Sequence, residues 1–285
     1  MTYCVGIRLN TGMVFLSDSR TNAGVDQIGT FRKMTVFERP GERVMVLLTS
    51  GNLSITQSVR QLVMEQAESG ASVWDAPTMY DAATRVGDAV RKVHDRDAEH
   101  LQEMGIEFNC TLIFGGQIGN ERCRLFQIYS AGNFIEAQDE NLYFQIGESK
   151  YGKPIIDRVA QPGTTLDEAA KCALISMDST LRSNLSVGLP LDLLCYEAGA
   201  LRVTRFVTIE ADNEYFQMIR RTWGQQLRNA FAELPDPTWQ TEAAGKATPV
   251  RAPVPPGTER LERGRPASVQ VFAQAPKSDP SGPKG

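Results

Sequence analysis

Thr2, directly after the initiator methionine, is the residue with the most self-contained chemistry in this 285-residue chain. Threonine is small enough for methionine aminopeptidases to remove Met1, which leaves a hydroxyl and a free α-amine on one residue. An α-amine titrates near about 7.7–8.0, so a useful neutral fraction at pH 7 takes the hydroxyl proton, directly or through water. A single residue then supplies nucleophile and base. Asp18, in Leu16-Ser17-Asp18-Ser19-Arg20, and Lys33, in Phe31-Arg32-Lys33-Met34, are the groups that would tune it. An ammonium beside the amine disfavours its protonated form and stabilises negative charge on the Thr oxygen, and a carboxylate keeps that ammonium charged and oriented. The fourth element is Thr49-Ser50-Gly51-Asn52. Gly51 can present its backbone N–H to an oxyanion at the positive end of a following helix, with Asn52 or Ser54 as the cap.

Positioning these groups requires strand ends at one edge of a sheet. Residues 3–9 alternate as a strand, Asn10-Thr11-Gly12 turns, and 13–18 returns, delivering Asp18 beside the start of the first strand. Residues 32–38 and 43–50 form a second hairpin about Arg39-Pro40-Gly41-Glu42. A helix follows Gly51-Asn52, with Leu53, Val59, Leu62 and Val63 at helical spacing. A longer amphipathic helix spans about 78–104. Strands are expected at 107–116, 121–130 and 142–147, helices at 150–160 and 165–184, strands at 191–197 and 201–208, and a last helix at 213–232. Hairpin-joined strands interrupted by pairs of helices predict an α+β fold, a four-layer αββα sandwich of two antiparallel sheets covered by helices. Beyond Leu234 the composition shifts, and most of the fifteen prolines fall there with Gly, Ala and Ser. The domain is therefore expected to cover 1–234, with 235–285 a largely disordered tail. Ser268–Phe272 is a short apolar patch within it that could dock as an added strand or as a short linear motif.

The runs TYCVGIRLNTGMVFLSDSR, FRKM and VMVLLTSGN resemble the proteasome β-subunit superfamily of N-terminal-nucleophile hydrolases. The resemblance continues through IGESKYGKP and SMDSTLRSNLSVGLPLDL, over about 2–232, and is nearest to the bacterial proteasome-like Anbu proteins. It implies the αββα sandwich, a mature N-terminal Thr2, partner residues Asp18 and Lys33, an oxyanion-hole Gly51, and Arg20 as a structural neighbour. It also implies self-assembly through exposed helices, those at 78–104 and 213–232 being available, into a closed ring or an open helix. The chain departs from the family at two motifs. A Gly-Ser-Gly serine that bonds the terminal amine is replaced by Glu148, with Ser149 one residue on. The later Asp-x-x-Ser-Gly motif becomes Ser183-Asn184-Leu185-Ser186-Val187-Gly188, where Ser186 matches the serine and Asp178 lies five residues upstream of Ser183.

Composition narrows the rest. A net charge of −4 gives no basic footprint for nucleic acid, and no stretch reaches the roughly 20 apolar residues of a membrane helix. Five scattered cysteines without CxxC spacing, and only His94 and His100, argue against a metal site and against any cofactor. Unpaired cysteines without an export signal point to the cytoplasm. Thr49 and Leu53 are the residues expected beside a substrate pocket. The sequence Glu140-Asn141-Leu142-Tyr143-Phe144-Gln145 matches a protease site used to remove tags and is taken as coincidence. The leading function is hydrolysis of peptide or protein amides by Thr2. A small-molecule amidase and a weakly active or inactive self-assembling scaffold are the alternatives, and no feature identifies an unfoldase partner.

Overall fold

A computed structural model describes residues 2–22, 28–65, 72–241 and 269–272. The alternation that marked the N-terminal hairpin becomes β1 (Tyr3–Leu9) and β2 (Gly12–Asp18). Short strands β3 (Arg20–Asn22) and β4 (Ile28–Thr30) pair with each other, and β5 (Met34–Arg39) and β6 (Arg43–Gly51) form the second hairpin. Helices α1 (Leu53–Met64) and α2 (Met79–Glu103) follow, then β7 (Cys110–Ile118), β8 (Arg124–Ile128), β9 (Phe134–Glu136) and β10 (Tyr143–Gly147). Helices α3 (Lys153–Val159) and α4 (Leu166–Ser183) precede β11 (Leu191–Glu197) and β12 (Arg205–Ile209), and α5 (Glu214–Glu233) comes last.

Two five-stranded antiparallel sheets result, ordered β10-β1-β2-β11-β12 and β5-β6-β7-β8-β9. Successive strand side chains point to opposite faces, so each buried strand feeds two cores. Val5, Ile7, Val14 and Leu16 pack under α3 and α4, while Cys4, Met13 and Phe15 meet Val44, Val46 and Leu48 between the sheets. Met45 and Leu47 turn outward to Val59, Val86 and Val90 of α1 and α2. Three cores separate four layers, the expected αββα sandwich.

Helix boundaries follow from local chemistry. Asn52 caps α1 through its side chain to the Ser54 N–H. Thr165 and Glu168 close a reciprocal capping box on α4. Asp178, nearly fully buried on α4, holds Arg182 and, at 2.9 Å, Arg220 of α5, so it joins two helices. The tag-site look-alike is part of the fold: Leu142, Tyr143 and Phe144 are buried and Tyr143–Gly147 pairs with β1.

The chain divides into two compact units, Met1–Trp223 and Gly224–Gly285. Within the second, Thr238–Thr241 (β13) pairs antiparallel with Val269–Phe272 (β14). Residues 242–268 and 273–285 of the expected tail lie outside the described residues, as does Met1.

Candidate active site

Thr2 is held at the mouth of the β1–β10 pair. Its carbonyl accepts the Glu148 N–H at 2.7 Å, and Gly147, opposite Tyr3, runs close beneath it. A Cβ on Gly147 would sit 1.9 Å from the Thr2 oxygen, and its φ of +82° is one that glycine adopts without strain. The next residue ties β1 to Asp18, whose Oδ1 accepts the Tyr3 N–H at 3.0 Å. The same oxygen accepts Lys33 Nζ at 2.7 Å, and that ammonium also donates to the Arg20 carbonyl at 2.7 Å. Asp18 is fully buried, while Thr2 and Lys33 are 8% and 7% exposed. Burial pushes the Asp18 carboxyl above its ordinary range; Lys33 and the N–H groups of Tyr3 and Gly188 pull it back.

Gly51 ends β6 opposite Cys110, with φ +122°. Ladder alternation sets the direction of its N–H. The Asn52 N–H donates across to the Asn109 carbonyl on the β7 side, and the Thr49 N–H to the Lys33 carbonyl on the β5 side. Gly51 therefore directs its N–H toward the β5 side, past the first residue of β5, where the α1 terminus begins. A pocket of about 240 Å³ opens there, lined by Thr2, Lys33, Gly51, Thr49 and Leu53. Thr2, Lys33 and Gly51 thus share one cavity and Asp18 lies directly behind it.

The supporting residues divide. Arg20 is built in: its carbonyl holds Lys33, and its guanidinium donates to the Leu185 carbonyl at 2.9 Å. That contact pins the loop whose Gly188 N–H reaches Asp18 Oδ2 at 3.4 Å. Ser186 sits in the same loop with its N–H on the Asn184 side chain, and Ser149 opens a short 3-10 turn. Neither lines the pocket. The Glu148 carboxylate turns to Lys150, 3.7 Å away. Asp178 belongs to the α4–α5 clamp. Among the described residues no cluster of His, Cys, Asp and Glu is arranged to hold a metal, and no helix is long and apolar enough to cross a membrane. All five cysteines are buried free thiols.

Sequence reasoning missed several residues of the pocket wall: Thr21, Phe31 and Arg32 on the approach to β5, and Thr56, Gln57 and Arg60 on α1. The helical set, 53, 56, 57 and 60, forms one stripe at helical spacing beside the buried Ile55, Val59 and Val63, with Thr56 buried at the border.

An αββα sandwich with a threonine entering the first strand end, backed by a buried Lys–Asp pair, defines the N-terminal-nucleophile hydrolase class of fold. The model of the proteasome subunit family matches residues 2–188, and the chain belongs to that family, on its Anbu branch. An Anbu (Gly-1) mutant from Hyphomicrobium sp. strain MC1 is 52% identical over 83% of this chain and 99% of its own, with a TM-score of 0.78. Anbu (ancestral beta-subunit) from Yersinia bercovieri is 52% identical over 82% and 97%, TM-score 0.75. The helical assembly of the Anbu complex from Pseudomonas aeruginosa is 46% identical over 83% and 98%, TM-score 0.79. No curated protein matches at a significant level.

Proposed function

We propose that this chain is a threonine-type N-terminal-nucleophile hydrolase of peptide amide bonds, with Thr2 as nucleophile once Met1 is removed. The observation that carries the reading is the buried Lys33 ammonium, fixed by Asp18 and the Arg20 carbonyl in the wall of the cavity that Thr2 enters. The freed α-amine takes the Thr2 hydroxyl proton as Oγ bonds to the substrate carbonyl carbon. The oxyanion develops against the Gly51 N–H and the positive end of α1. Collapse breaks the C–N bond, the proton passes from the amine to the leaving nitrogen, and an ester remains on Thr2. Water attacks that ester by the same proton route and restores the free hydroxyl. Lys33 lowers the amine's proton affinity, Asp18 orients Lys33, and Arg20 positions both by gripping the 185–188 loop.

The Anbu complex from Pseudomonas aeruginosa forms a helical assembly, and we extend self-assembly, as an open helix or a ring, to this chain. The five buried free thiols fit a reducing compartment, and we assign the cytoplasm. Turnover of fluorogenic peptide amides tests the reading, alongside intact mass for loss of Met1. Thr2→Ala is expected to lose turnover entirely. Full turnover by that variant, or turnover by protein that retains Met1, would sink the mechanism.

A further inference from the structure

The stripe of α1 that faces the cavity ends on a charge. Leu53, Thr56, Gln57 and Arg60 all line it, with Arg60 one turn beyond Thr56 and half-buried. Among the described residues no carboxylate pairs with the Arg60 guanidinium and no hydrogen-bond acceptor meets it. The two other cations in the wall are engaged elsewhere. Lys33 is held by Asp18, and Arg32 lies 3.7 Å from Asp192 with its guanidinium also on Thr208. Among the described residues that line the cavity there is no Asp or Glu.

A guanidinium offers a planar fork of donors that matches a carboxylate bidentately, and such charge-assisted pairs are about twice as strong as neutral hydrogen bonds. In a partly desolvated wall with no carboxylate among its described residues, that capacity is available to whatever enters. Phe31 and Leu53 add apolar surface to the same wall. We propose that Arg60 makes this pocket selective for an acidic side chain, Asp or Glu, on the residue whose carbonyl Thr2 attacks. The proposal rests on the reading of Thr2 as nucleophile and adds the substrate class to it. A neutral amide of the same shape forfeits the charge-assisted pair, and a Lys or Arg side chain meets like charge.

The test separates recognition from chemistry. Fluorescein-labelled tripeptide amides that differ only in a C-terminal Glu, Gln or Lys are titrated by fluorescence anisotropy against the full-length assembled protein, as wild type, Arg60→Gln and Arg60→Lys. Thermal melting confirms that each variant is folded. The wild type is expected to bind the Glu peptide at least tenfold more tightly than Gln, with Lys weakest. Arg60→Gln brings Glu and Gln within about threefold, Arg60→Lys retains a Glu preference, and raised salt narrows the wild-type ratio. Equal binding of Glu and Gln by the wild type, a preference that survives Arg60→Gln, or no binding of any of the three peptides overturns the proposal. Because binding does not require a nucleophile, Arg60-dependent selectivity without turnover would count against the hydrolase reading alone. Turnover without selectivity would count against Arg60 alone.

Discussion

Burying an ammonium and a carboxylate together costs desolvation that their attraction often fails to offset, so the Asp18–Lys33 pair is poorly explained as a stabilising device. Its two side chains are 0% and 8% exposed at 2.7 Å separation. Removing one partner is far worse than removing both, since the other charge stays buried and unpaired. Lys33→Ala is therefore expected to cost roughly 3–5 kcal/mol in denaturant unfolding. The double variant Asp18→Asn with Lys33→Met, which keeps an acceptor for the Tyr3 N–H, should unfold within about 1–2 kcal/mol of the wild type. Both should be catalytically dead. The pH behaviour follows with its sign. The folded Asp18 value lies above the unfolded one, so its linkage contribution to stability is present below about 3.9 and lost as pH rises through the folded value. On the proposed mechanism the pair is kept for its effect on the neighbouring Thr2 amine. That effect places the acid limb of kcat/KM below the ordinary amine range of about 7.7–8.0. A midpoint at or above 8 in the pH–rate profile would show that Lys33 does not tune Thr2.

At the scale of elements, the strands that carry the site were legible as short apolar runs bounded by turn residues, and the helices by their helical spacing. Residues 3–9 and 13–18 are two largely apolar runs either side of the Asn10-Thr11-Gly12 turn, and the structure sets strands at Tyr3–Leu9 and Gly12–Asp18, buried along almost their whole length. Asp18 and Lys33, fifteen residues apart, meet because one ends β2 and the other leads into β5. What escaped were three-residue strands, β3, β4 and β9, which are too short to show a period. The expected strand at 201–208 begins only at Arg205, after a turn in which Leu201 takes a positive φ. The α1 face of the pocket escaped for another reason: its polar stripe is indistinguishable from a solvated helix face until β6 and the β5 approach are folded opposite it. Gly51 carries the element-scale prediction. A Cβ there would lie 2.3 Å from the Asn109 carbonyl, at a φ of +122°. Gly51→Ala must shift the end of β6 against β7 and, on the proposed mechanism, move the N–H off the oxyanion. Turnover should fall by about 10²–10³-fold, as for loss of an oxyanion donor, with peptide binding at Arg60 changed far less.

For the whole molecule, three cores between four layers leave α1 and α2 outside one sheet and α3 and α4 outside the other. Tyr80 on α2 and Val159 on α3 are about half exposed, so apolar residues remain on helices of both outer layers. Self-association through those layers predicts a particle many times the 31.4 kDa chain mass in light scattering, unchanged by Thr2→Ala because Thr2 lines a cavity and is not on an outer helix. A monomer at micromolar concentration would contradict it. Whether Thr2 is the nucleophile is read out most directly by covalent labelling. Protein purified from cells is treated with a threonine-reactive electrophile and its intact mass and labelled peptide are determined for wild type, Thr2→Ala and Lys33→Ala. The expected result is a chain lacking Met1 that gains one adduct, located on Thr2, with none on either variant; a wild-type chain that retains Met1 and stays unlabelled, or a label that persists in Thr2→Ala, would contradict Thr2 as the nucleophile.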